Sequence, residues 1–145
     1  MKLVIQRVSQ AKVTVDARTI GEIGRGFLIL LGIKTNDTLQ QADALVEKVI
    51  RLRVMSDKAG KMNLALKDVK GEVLVVSQFT LYSDTRSGNR PSFLAAAKPE
   101  SAKFLYEYFV QKLRTLGVTV KTGEFGAAMK IEAALDGPVT IIIET

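Results

Sequence analysis

Eight consecutive residues, Gly26-Phe27-Leu28-Ile29-Leu30-Leu31-Gly32-Ile33, carry no polar side chain. A strand sends successive side chains to opposite faces, so a run of this kind is buried on both. It belongs at the centre of a sheet, with apolar material packed above and below. It is much shorter than the ~20 apolar residues a membrane-spanning helix needs.

The rest of the chain supplies the neighbours. Residues 3–5 and 12–15 are short apolar or β-branched runs that read as strands, punctuated by Gly21, Gly24 and Gly26 as turn residues. Asn36-Asp37-Thr38 can cap a helix. Leu39, Ala42, Leu45, Val46, Val49 and Ile50 follow at helical spacing, with Glu47 and Arg51 four apart on the outer side. Residues 58–71 read as a loop, 72–82 as one strand, and 83–98 as a long surface loop. Pro99 suits the first turn of a second helix, with Phe104, Leu105, Tyr108, Phe109, Lys112, Leu113 and Leu116 as its buried face and Gly117 as its stop. Strand-like runs return around Val118 and Val120, at 129–135 and at 139–143. No linker or repeat interrupts residues 1–145, so one domain is expected. The pattern predicts an α+β domain: a β-rich sheet or barrel with two packed helices.

Composition removes the usual catalytic chemistries. The chain has no Cys and no His, so a thiol nucleophile, a zinc–thiolate site and a Ser-His-Asp triad are excluded in cis. Acidic residues are scattered, and neither a metal nor another cofactor is expected. The 21 basic residues exceed the 15 acidic ones by six, which suits a nucleic-acid partner and equally a soluble protein that happens to be basic. Arg7 interrupts the N-terminal apolar run too early for a signal-peptide core. With the absence of Cys, that points to the cytosol and away from membranes. Gly21-x-x-Gly24-x-Gly26 has the wrong spacing for a dinucleotide-binding loop and reads as a turn.

Two segments invite a functional reading. Ser77-Gln78-Phe79-Thr80-Leu81-Tyr82, if extended, puts Ser77, Phe79 and Leu81 on one face and Gln78, Thr80 and Tyr82 on the other. It is either a strand leaving the core or a polar row whose backbone N–H groups face a pocket and bind a developing oxyanion. Asp136-Gly137-Pro138-Val139-Thr140 is either a tight hairpin turn or a specialised backbone feature at a site.

Gln6-Arg7-Val8, Gly60-Lys61-Met62-Asn63-Leu64, Ser77 to Tyr82, Arg90-Pro91-Ser92-Phe93 and Gly137-Pro138-Val139-Thr140 occur in an order and spacing that resembles the D-aminoacyl-tRNA deacylases, along essentially the whole chain. Members of that family commonly have Asn-Asp before Gly-Pro-Val-Thr; here Leu135-Asp136 stands there. The resemblance implies a homodimer acting on the aminoacylated 3′ end of tRNA, with no other protein partner. It implies a catalytic segment at Ser77, Gln78, Phe79 and Thr80. Gly137 and Pro138, joined by a cis bond, would reach from one subunit into the other's pocket and offer main-chain carbonyls to the substrate's α-ammonium. Arg7 would hold that loop, and Phe125 and Met129 would line the same site. An L side chain would collide with the Gly-Pro backbone, whereas D-amino acids and glycine would fit. Without His or Cys, either Thr80 attacks, or the ribose 2′-hydroxyl assists water while backbone N–H groups near Phe79 and Thr80 hold the oxyanion. A basic module that binds RNA ends without catalysis is the competing reading.

Overall fold

A computed structural model describes residues 1–145. The chain runs β1 (Lys2–Val15), β2 (Arg18–Ile23), β3 (Gly26–Gly32), α1 (Leu39–Arg51), β4 (Met55–Ser56), β5 (Met62–Leu64), β6 (Glu72–Ser77), α2 (Pro99–Thr115), β7 (Val120–Thr122) and β8 (Lys130–Glu144). Short 3-10 turns occupy Lys67–Val69 and Phe79–Tyr82. The main sheet has the order β2-β1-β3-β6-β7, with β8 on the other side of β1. The pairs β3–β6 and β6–β7 are parallel, each bridged by a helix, and the others are antiparallel. A Cβ at Gly21 in β2 would lie 2.6 Å from the Thr122 carbonyl oxygen of β7. The sheet therefore curls until its ends meet, nearly as a barrel.

The doubly apolar strand sits where its composition requires. Phe27, Ile29 and Leu31 of β3 enter a large core shared with both helices, together with Leu3, Ile5, Leu45, Val49, Phe109 and Leu113. Leu28 enters a second, smaller core inside the curl, with Val8, Val13, Ile23, Leu74 and Val76. Complete burial of each large aliphatic side chain contributes ~1.5–3 kcal/mol, so this strand anchors both layers.

The two helices follow their sequence signals with one change of face. Thr38 caps α1, and Gln41 returns the hydrogen bond to complete a capping box. On α2 the buried residues are Leu105, Tyr106, Phe109, Val110 and Leu113, whereas Phe104 and Leu116 are exposed. Tyr106 turns the face inward because its hydroxyl donates to the buried Val75 carbonyl at 2.8 Å. Asp43 of α1 ties the helices together, accepting from Tyr108 Oη at 2.9 Å and pairing with Lys112 at 3.1 Å.

Several strands depart from expectation. Residues 2–15 form one strand rather than two, and its two halves feed the two cores. Gly21 lies inside β2 and is not a turn residue; the turn is Asp16-Ala17, both at positive φ. The expected loop at 58–71 contains β5, which pairs with β4. The expected strand 72–82 stops at Ser77, because the parallel ladder to β3 ends at Leu31–Ser77 and the following 3-10 turn packs over Gly32. Apart from Met129, which precedes it, the 129–135 and 139–143 runs belong to one strand, β8, paired along nearly all of β1.

Candidate active site

β6 leaves the sheet at Ser77, and there the chain enters the turn beside a cavity of about 600 Å³. Ser77, Gln78 and Phe79 line it, as do Phe125 and Met129 from the segment between β7 and β8. Phe93, Ala96 and Ala97 of the long loop and Pro99 and Ala102 of α2 form another wall. The loop is tied down by Ala97 N–H to Ile33 O and Thr35 N–H to Ala95 O, both 3.0 Å. Phe79 meets Phe93 edge-on with centroids 5.0 Å apart, and Phe125 leans on Tyr106 at 5.8 Å. Burial pushes the Tyr106 hydroxyl up to about 12, so it stays a protonated donor behind this wall. No residue of the cavity lining has an ionisable side chain.

The 3-10 turn changes what the Ser77–Tyr82 segment presents. Side chains do not alternate across two strand faces there; they fan around a tight turn. Its i→i+3 bonds begin with Leu81 N–H to Gln78 O, so the N–H groups of Phe79 and Thr80 precede the first donor and have no acceptor within the turn. The Gln78 side-chain amide donates to Thr80 Oγ1. That contact takes up a lone pair of the hydroxyl, and no carboxylate or amine is placed to remove its proton. Thr80 itself is not among the residues lining the cavity.

Gly137 and Pro138 lie elsewhere on the surface, outside this cavity, and are exposed. Their segment is not a hairpin turn. β8 pairs Leu135 with Val8 and Thr140 with Gln6, so residues 136–139 arch out opposite Arg7 alone. The Gly137–Pro138 bond is cis, and Gly137 has φ +133°. A Cβ there would lie 2.8 Å from both Val139 Cγ2 and Val139 N. Arg7, only 7% exposed, supports the arch from beneath. Its Nε donates to the Asp136 carbonyl at 3.0 Å and lies 3.2 Å from Asp136 Oδ2; its Nη1 donates to Val54 O at 2.7 Å and Ser56 Oγ at 3.2 Å.

Five of the nine expected site residues thus share one cavity: Ser77, Gln78, Phe79, Phe125 and Met129. Arg7, Gly137 and Pro138 form a second cluster, and Thr80 adjoins the first through Gln78. Sequence reasoning missed the wall from Phe93 to Ala102. Its signal was the run of small residues Ala95-Ala96-Ala97 before Pro99, which leaves room beside a helix start. No cluster of three or more metal-ligating side chains occurs, and no helix is long and apolar enough to cross a membrane.

A curled mixed sheet with two helices is shared with a solved structure described as "Structural Analysis of a probable eukaryotic D-amino acid tRNA deacylase", at TM-score 0.86 and 14% identity over 98% of this chain and 97% of that one. That likeness concerns the fold. The model of the D-Tyr-tRNA(Tyr) deacylase family matches residues 4–144, and the chain belongs to that family. Similar relatives are the D-aminoacyl-tRNA deacylases of Geotalea uraniireducens, 57% identical over all of this chain and 94% of that one, and of Thermosipho melanesiensis, 52% identical over 100% and 97%. A solved structure named "c-Myc DNA Unwinding Element Binding Protein" is 42% identical, with TM-score 0.95, over 100% of this chain and 99% of that one.

Proposed function

We propose that this protein hydrolyses the ester between a D-amino acid and the terminal adenosine of tRNA, releasing both, as a chiral proofreading step in the cytoplasm. The observation that carries this reading is a cavity without one ionisable side chain, entered by a turn whose first backbone N–H groups are free. Such a site has no general base of its own. It suits a substrate that brings its own vicinal hydroxyl, as an aminoacylated ribose does, and needs only fixed donors for the oxyanion. Each such donor is worth roughly 3 kcal/mol of barrier, and the fixed hydroxyl several more through effective molarity.

On this reading the protein is a homodimer. The exposed Gly137-Pro138 arch lies outside its own cavity and is available to complete the cavity of a second copy, beside the exposed apolar side chains of Leu135 and Ile142 on β8. There its carbonyls accept the α-ammonium, and its backbone leaves room for a D side chain or for glycine but not for an L side chain. Ser77 and Gln78 shape the adenosine pocket, Phe125 and Met129 line the same site, and Arg7 fixes the arch. No metal takes part, so turnover persists in EDTA once the tRNA has been folded beforehand.

A second reading, binding of nucleic-acid ends without hydrolysis, draws on the name of the 42%-identical structure and on the net charge of +6. One assay separates them. Incubation with D-tyrosyl-tRNA and L-tyrosyl-tRNA frees D-tyrosine and leaves the L ester intact if the deacylase reading holds; a pure binder protects both esters.

A further inference from the structure

Met129 stands at the edge of two concavities. One face lines the apolar cavity, and the other borders an open polar cleft with Lys12, Thr14 and Lys130. A flexible thioether in such a place needs something rigid behind it. That support is the backbone of Gly123, whose N–H donates to the Val75 carbonyl at 3.0 Å and so extends the β6–β7 ladder by one residue.

Gly123 is not at positive φ, unlike Gly60, Gly88, Gly117, Gly126 and Gly137. Its backbone conformation is open to other residues, so the glycine meets a need for space. A Cβ there would lie 2.5 Å from Met129 Sδ, 3.6 Å from Met129 Cε and 3.6 Å from Val76 Cγ2. Comfortable contacts of this kind are ~3.5–4.0 Å. The thioether would have to retreat by about 1 Å or more, which moves the part of the cavity wall that Met129 forms.

We propose that Gly123 is a positioning residue that sets the width of the nucleoside end of the cavity by seating Met129 against bare backbone. This rests on the deacylase reading above. Gly123 touches no substrate and acts only through Met129, so its effect falls on substrate binding rather than on the ester-cleaving step.

The test is steady-state deacylation of D-tyrosyl-tRNA by the full chain. Gly123→Ala raises KM about tenfold while kcat stays within about twofold. In a Met129→Ala background the same substitution costs less than about twofold, because the side chain it displaces is gone. An unchanged KM in Gly123→Ala, or the same loss in both backgrounds, overturns the inference. A second arm needs no substitution at Gly123: in wild-type protein labelled with 13C-methyl methionine, millimolar adenosine shifts the Met129 methyl resonance, assigned by its loss in Met129→Ala. A Met129 signal indifferent to adenosine also overturns it. Failure of the wild type to hydrolyse the ester would instead sink the deacylase reading, with the adenosine-induced methyl shift still able to stand.

Discussion

Replacing Arg7 by Met keeps most of the side-chain volume and removes every polar contact. The guanidinium donates to Asp136 O, Val54 O and Ser56 Oγ from a nearly buried position. The Ser56 hydroxyl can turn to another partner, but the two carbonyls cannot. Stranding a buried acceptor costs ~1–3 kcal/mol, so the two together cost about 3 kcal/mol, after allowing the partly exposed Asp136 some access to water. With an unfolding entropy of ~2.1 cal/mol/K per residue, the chain gains ~0.3 kcal/mol/K on unfolding, and Tm falls by roughly 10 °C. Calorimetry measures this directly. The arch over Arg7 loses its support as well, so the variant, assayed well below its Tm, hydrolyses D-tyrosyl-tRNA much more slowly. Arg7→Lys restores one donor and falls between the two. An Arg7→Met protein that melts within about 2 °C of wild type and keeps its turnover would refute the reasoning, since the three bonds would then carry neither stability nor orientation.

Thr80→Ala keeps the backbone N–H and should stay within about tenfold of wild-type turnover, whereas losing a true oxyanion donor costs roughly 100-fold or more; a substrate ending in 2′-deoxyadenosine should bind yet be nearly inert. Abolished turnover in a folded Thr80→Ala that still binds tRNA would make Thr80 the nucleophile instead. Gly137→Ala places a Cβ against Val139 at positive φ, and it should slow D-ester hydrolysis or lower the D-over-L ratio; unchanged values for both would reduce the arch to a surface bend. The Glu132 carboxyl is held at about 2 by the hydrogen bond from Lys12 first and then that from Lys130, below the ordinary ~4.3. Its stabilising contribution is therefore present above the unfolded-state value and lost as pH falls through about 2. The Tm gap between wild type and Glu132→Gln should accordingly be open at pH 6 and close in strong acid, and a gap of the same size at both ends would exclude the linkage.

What could be read from the sequence was whatever local pattern decides. The both-faces-apolar run of β3 and the Thr38 cap with the stripe of α1 are set by residues near one another in the chain, and both stand where expected. The Ser77–Tyr82 segment reads as strand because Phe-Thr-Leu-Tyr has strand composition. Its 3-10 turn is imposed by the end of the β3 ladder and by the room above Gly32, more than forty residues earlier. The Asp136-Gly137-Pro138 segment carries turn chemistry, yet its partner Arg7 is 129 residues from Asp136, and no local rule reports such a pairing. On α2, the hydroxyl of Tyr106 seeks a carbonyl in β6, and that bond turns the buried face away from Phe104. The same limit governs the site. Ser77, Gln78, Phe79, Phe125 and Met129 meet in one cavity, and the small run Ala95-Ala96-Ala97 marks room beside a helix start without telling which cavity that wall borders.

The pairing of β1 with β8 joins Lys2 to Glu144, and it orders events during synthesis. The first strand made waits for the last before one of its edges is covered. A nascent chain released before β8 emerges can place β3 beside β1, but it leaves the other edge of β1 bare along its length, an open template for pairing with other chains. Any product that stops short of Lys130 lacks that strand and exposes that edge.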